Sequence, residues 1–280
     1  MRDSSIKYLV SINTELIKKN LDDIYLKNFD NNIASVKTKS VLTNDATSTV
    51  FGTKKTISVA NYDYKNNKLF LYPNNLERVK AIYNDDKMSS MMIYHELIKL
   101  AATDLSAEST GVNNKEASYD ALNAGITEFF TYSAYSNANV IQSRYLFELL
   151  LTIQLITIVG EKHIALSYFN FHNIDTIKVV LSRYISEDKV DEFICLFEEF
   201  YNNRKNNNDY SLLGRLQISL ADAFIAKCNM LDLSQNVVDY YKQYLITPEL
   251  VNKYTNKDND IPLLKESLNR FNNMEGKRSI

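Results

Sequence analysis

Three ionisable side chains, His95, Glu96 and Lys99, fall inside the run 89–102, whose other residues are mostly apolar. The chain has 3 histidines in 280 residues, and this one is followed at once by a carboxylate. On a helix, positions 95 and 99 lie about 40° apart around the axis, because four steps of about 100° nearly close one turn. Two histidines at that spacing with a glutamate after the first, H-E-x-x-H, bring two imidazole nitrogens to one zinc ion while the carboxylate activates its water. Here Lys99 stands in place of the second histidine. An unpaired buried charge is costly enough to be neutralised or paired. The three side chains are therefore expected to share partners or to open onto a cleft. The plainer reading is a core histidine whose ring nitrogens are satisfied by a carboxylate and a backbone carbonyl.

Glu128 is the leading candidate partner. It lies on a second helix, expected from Lys115 to Ser136, with Ala124 one turn before it on the same face. Asn123-Ala124-Gly125 places two small residues in mid-helix, where glycine costs about 1 kcal/mol relative to alanine. Close approach of another backbone is the expected reason; the alternative has Glu128 facing solvent and Gly125 merely easing helix packing. His163 and His172 have no second ligand at metal spacing and read as structural. Cys195 and Cys228 sit in apolar helical contexts and read as small core residues, too few for a disulfide framework. The chain carries no Gly-rich phosphate loop, Ser-centred elbow or Asp-rich calcium loop.

The elements that would position these residues follow from periodicity. Residues 6–29 show helical spacing and predict one or two helices, followed by a polar loop over 30–45. Thr56–Ala60 and Lys68–Tyr72 read as strands joined by the turn Tyr64-Lys65-Asn66-Asn67, an antiparallel hairpin. Pro73 closes it, and a helix is expected over 76–84. Ser89 or Ser90 is placed to cap the helix carrying His95, which is apolar on nearly every side and hence central. Further helices are expected over 140–159, 174–185, 187–202, 210–230 and 234–246, with a short one after Pro262. No repeat and no Gly/Ser/Pro linker divides the chain. The expectation is one α+β domain over 1–280, predominantly helical, with a β-containing front (1–110) and a helical part (111–280).

With 32 basic against 34 acidic residues, the net charge of −2 supplies no global field for nucleic acid or an acidic membrane. The run 145–159 is the longest apolar stretch, but it contains Glu148 and Gln154 and is short for a bilayer span. The start lacks a signal-peptide apolar core. A cytoplasmic location is expected for the chain as it stands, and an extracytoplasmic one had a leader been removed.

At His95-Glu96-Leu97-Ile98-Lys99 and Leu122-Asn123-Ala124-Gly125-Ile126-Thr127-Glu128 the chain resembles the zincin-type metallopeptidase-like proteins of low-GC Gram-positive bacteria. In that group a helix with H-E-L-x-H is followed, some tens of residues on, by one with a motif like L-N-E-G-x-T-E. The resemblance extends more loosely over about residues 55–200. It implies a zincin-like fold, His95 as first zinc ligand and Glu96 as general base. It also implies that Lys99 replaces the second ligand and Ala124 the third, the glutamate of N-E-G. Catalytic zinc sites use three protein ligands, so no metal cofactor is expected, and a lysine ammonium near Glu96 or Glu128 would supply the missing positive charge. The expected function is a degenerate, non-catalytic peptidase-like protein that binds a peptide or protein, with Glu96 a vestigial base. The enzyme alternative is an active zinc peptidase with His95 and Glu128 as ligands, completed by Asp104 or another acid. A third reading is a helical interaction module unrelated to zincins.

Overall fold

The computed structural model describes residues 2–41, 48–51, 54–85, 87–135, 143–259 and 261–278. Ser136 and the expected helix start at 140–142 lie outside the described residues, as do positions 42–45 of the expected loop. The protein is predominantly helical with few short strands, an α+β chain. Its helices are α1 (Arg2–Asn20), α2 (Phe29–Ser35), α3 (Leu76–Tyr83), α4 (Met88–Ala101), α5 (Asp120–Ala134), α6 (Leu146–Val159), α7 (Glu161–Leu166), α8 (Asp175–Leu181), α9 (Glu187–Asn207), α10 (Leu213–Leu231), α11 (Gln235–Gln243), α12 (Pro248–Thr255) and α13 (Pro262–Arg278). The strands are β1 (Lys37–Ser40), β2 (Ser48–Phe51), β3 (Lys54–Ile57), β4 (Ala60–Asp63), β5 (Lys68–Leu71), β6 (Thr103–Asp104) and β7 (Ser109–Thr110).

These elements group into two compact units, each assembled from separate stretches. The first comprises Met1–Ser118, Ile126–Arg144 and Ala165–Asn173; the second comprises Tyr119–Gly125, Tyr145–Ile164 and Ile174–Ile280.

In the first unit, α4 packs against α1, α2, α3 and β4. Ten of its 14 residues are buried, as its apolar sequence requires. The remaining, less buried stripe runs through Met92, His95 and Lys99, spaced three and four residues apart along one face. Ser89 and Ser90 do not cap this helix: it begins at Met88, and the Asp85 carboxylate accepts the Lys87 N–H at 2.8 Å just before it. Its other end is held by Asn32 of α2, whose amide donates to the carbonyls of Leu100 and Thr103 at 3.0 and 2.7 Å.

The hairpin forms with a shifted first arm. β4 pairs antiparallel with β5, Tyr62 opposite Leu69, and β1 adds to β5 in parallel, giving the order β1-β5-β4. The turn passes through a 3-10 segment, Tyr64–Asn66, to Asn67 at φ 43°, left-handed backbone that asparagine tolerates. Residues 54–57 pair instead with β2. Thus β1 and α2 replace much of the loop expected over 30–45. A strand so short and polar as Lys37–Ser40 shows no alternation from which to read it.

In the second unit, α10 packs against α6, α9 and α13, and α6 also contacts α8 and α11. All but one residue of α6 is buried, Glu148 included. The Glu148 carboxylate accepts from Arg204 Nη2 and Nε at 2.6 and 2.9 Å, with both side chains almost fully buried. Lys227 donates to the carbonyls of Thr157 and Ile158 at 2.8 and 2.9 Å, satisfying the C-terminal end of α6. The close backbone approach at Gly125 is present: a Cβ there would stand 2.6 Å from the Glu148 carbonyl oxygen and overlap Thr152 Oγ1. Glu198 of α9 caps the start of α5, accepting the Ala121 N–H at 3.0 Å and the Leu122 N–H at 3.4 Å.

Cys228 is buried as expected, but Cys195 is exposed, because it falls on the outward face of the amphipathic α9. Among the described residues no single helix is long and apolar enough to cross a membrane; α6 and the segment Glu161–Phe171 pass that test only together, across a 113° bend.

Candidate functional site

α4 and the part of α5 from Ile126 onward bring His95, Glu96, Lys99 and Glu128 together in the first unit. The Lys99 ammonium lies 2.7 Å from Glu96 Oε2, an i,i+3 pair across one turn of α4. The same oxygen accepts the backbone N–H of Tyr62 at 2.9 Å. This donor is available because β4 is an edge strand, so alternate amides point away from β5. The second carboxylate oxygen, Glu96 Oε1, stands 3.8 Å from His95 Nε2, and Glu128 Oε1 stands 3.7 Å from His95 Nδ1. One imidazole thus lies between two carboxylates, beyond hydrogen-bond length of either. Glu128 is buried rather than solvent-facing.

Burial pulls the His95 pKa down to about 3; Glu96 opposes that shift, while the charges of Lys99 and Arg144 add to it. The ring is neutral at physiological pH, with one N–H and one lone pair. Burial acts to raise the Glu96 pKa, but Lys99, His95 and the Tyr62 amide together outweigh it and hold the carboxyl below its ordinary value. Glu96 is therefore held as an anion with two donors on Oε2, while Oε1 faces the His95 ring.

Two further groups, Arg144 and Tyr83, which the sequence reading did not single out, are coupled to the site through charge. Arg144 acts on His95 by its charge, and the Tyr83 phenol, raised chiefly by burial, feels both Arg144 and Glu128. Tyr168, in a single π-helical turn, Ser167–Phe171, sets its hydroxyl 2.6 Å from Thr127 Oγ1, next to Glu128. Neither Arg144 nor Tyr83 has a motif or spacing to announce it, since only the fold carries them to α4.

Ala124 lies four residues before Glu128 on α5, within the stretch grouped with the second unit. Asp104 is engaged elsewhere: its Oδ1 accepts from the Ser106 N–H and hydroxyl at 2.9 and 2.6 Å and from the Ala107 N–H at 3.1 Å. His163 Nδ1 lies 3.0 Å from the Val159 carbonyl and His172 Nδ1 3.0 Å from that of Gly111, structural contacts both. Among the described residues no group of three His, Cys, Asp or Glu side chains is arranged to hold a metal. No protein-family model, curated protein or solved structure matches the chain. What the geometry defines is an α+β protein with a neutral histidine enclosed by paired carboxylates and cations.

Proposed function

We propose that this chain is a zincin-type scaffold whose metal centre has given way to an internal ion pair, and that it acts by binding a peptide or protein rather than by hydrolysis. The supporting observation is the placement of Lys99 Nζ 2.7 Å from Glu96 Oε2. In a zinc peptidase that carboxylate must be free to deprotonate a metal-bound water. Here a fixed ammonium holds it, and the position that would give the second imidazole gives the cation instead. A site so neutralised keeps its shape without an ion.

Equilibrium dialysis against zinc tests this reading. No stoichiometric binding at submicromolar zinc is expected from the purified chain, and Lys99→His, which removes the ammonium and sets a second imidazole one turn from His95 on the side of Glu128, should raise its zinc affinity. Stoichiometric submicromolar zinc in the unaltered chain overturns the proposal.

One observation favours the enzyme reading: the 3.7 Å gap between His95 Nδ1 and Glu128 Oε1. Two ligands about 2.1 Å from a shared ion span a distance of that order. That reading requires zinc to bind the unaltered chain, Glu128→Gln to abolish the binding, and Glu96→Gln to abolish peptidase activity. The charges of Lys99 and Arg144 oppose it.

A further inference from the structure

The other edge of the three-stranded sheet, β1, has a charge pattern that the fold does not need. Side chains alternate across a sheet, and the buried residues Leu69, Leu71, Ala60 and Tyr62 define the inner face. On the outer face the register then sets Lys37, Lys68 and Asp63 in one row and Lys39, Phe70 and Asn61 in the next. Lys37 and Lys68 are direct neighbours on adjacent strands, an arrangement of like charges that costs stability. Asp63 is turned to Asn66 instead, accepting its side-chain amide at 2.7 Å and its backbone N–H at 3.3 Å, and no ion pair to Lys68 forms among the described residues. Lys65, in the adjoining turn, adds a further cation beside the Tyr64 ring, and the Lys68 ammonium lies over Phe70 at 5.8 Å. The patch is basic on a chain whose net charge is −2.

Among the described residues, no strand pairs with the outer side of β1. Lys37 N donates to the Asn67 carbonyl at 3.0 Å and Val41 N to that of Leu71 at 2.8 Å. Donors toward the neighbour alternate along a parallel ladder, so the Thr38 N–H points outward. Lys37, Thr38 and Lys39 are all exposed.

We propose that β1 is the docking edge for an extended acidic segment of a partner protein whose carboxylates fall at alternate positions. Alternate side chains of a strand are about 6.7 Å apart, so such a segment paired along β1 sets one carboxylate beside Lys37 and the next beside Lys39. Backbone pairing gives the affinity, and the lysines select the acid. Lysines on an edge strand also serve to repel stray strands. That role leaves Lys68 unexplained, since it lies on the central strand.

The test is fluorescence anisotropy with the full chain and a short labelled peptide alternating glutamate and valine. A peptide of the same composition with its glutamates in one block, phosphatidylserine vesicles and polyuridylate serve as competing probes. Saturable binding of the alternating peptide is expected, weakened about tenfold by K37E with K39E and by raising salt from about 0.05 to about 0.3 M. Thr38→Pro, which removes the outward donor at an edge position that tolerates proline, should abolish binding, and Thr38→Ala should retain it. Circular dichroism confirms that each variant is folded. Failure of the alternating peptide to bind, equal binding of the block peptide, or preference for vesicles or RNA overturns the proposal.

Discussion

Lys99, on the one stripe of α4 that is not fully buried, sets its Nζ 2.7 Å from Oε2 of the buried Glu96. The pair is neither a surface contact, where little is gained, nor a sealed core pair, where loss of one member strands a charge. Lys99→Met should therefore destabilise the protein by about 1–3 kcal/mol, read as a lowered urea midpoint. Because the folded Glu96 pKa is depressed, its stabilising contribution is present above the unfolded carboxylate value and lost as pH falls through the folded one. Lys99→Met should shrink that acid-side loss, and an unchanged acid limb would count against the pairing.

His95 and Glu198 should bend the pH–stability curve in opposite senses. His95 stays neutral down to about pH 3, whereas the unfolded chain takes its proton near the ordinary value of 6.5, so its contribution to stability falls as pH drops through that window. Glu198 is pushed up to about 7, chiefly by burial and despite the Ala121 and Leu122 amides, so its contribution falls as pH rises from 4.5 toward 7. Urea midpoints measured over the shared window should decline more steeply with rising pH in His95→Gln than in the unaltered protein. In Glu198→Gln the slope should shift the other way. Identical slopes in all three proteins would refute both assignments.

Arg204→Met should be the most damaging of the charge-removing changes. It leaves Glu148 on the fully buried α6 without its cation, a loss of about 3–5 kcal/mol. Pairing it with Glu148→Leu should restore much of the stability, since apolar replacement of a buried pair is often neutral. The double-mutant cycle from chemical denaturation measures the coupling.

Gly125→Ala should destabilise despite alanine's better helix propensity. Its Cβ would meet the Glu148 carbonyl, and backbone cannot swing aside as a long side chain can. A loss of about 1–3 kcal/mol is expected from overpacking, seen as a lower melting temperature, with helix content unchanged below the transition.

How far the site could be read depended on sequence separation. His95, Glu96 and Lys99 are within one turn, so helical spacing alone placed them together. Glu128 followed from the small residues beside it, which marked α5 as packed. Glu148 was visible in its apolar run, but its partner Arg204 is 56 residues away and carries no local sign. Glu198 caps α5 from 77 residues away in the same manner. Helices declared themselves by period and by Gly160, Pro248 and Pro262, although α13 is far longer than the short helix expected and α12 went unread. β1 was missed because its pairing to β5 is parallel and non-local, with a polar sequence indistinguishable from loop.

The two compact units are interleaved along the chain, with α5 giving its opening residues to one and its remainder to the other. No single cut in the gene therefore separates the two units. Splitting the chain at any one point leaves at least one piece that carries residues of both units. Dissection of this protein therefore belongs to point substitution rather than to cutting the chain.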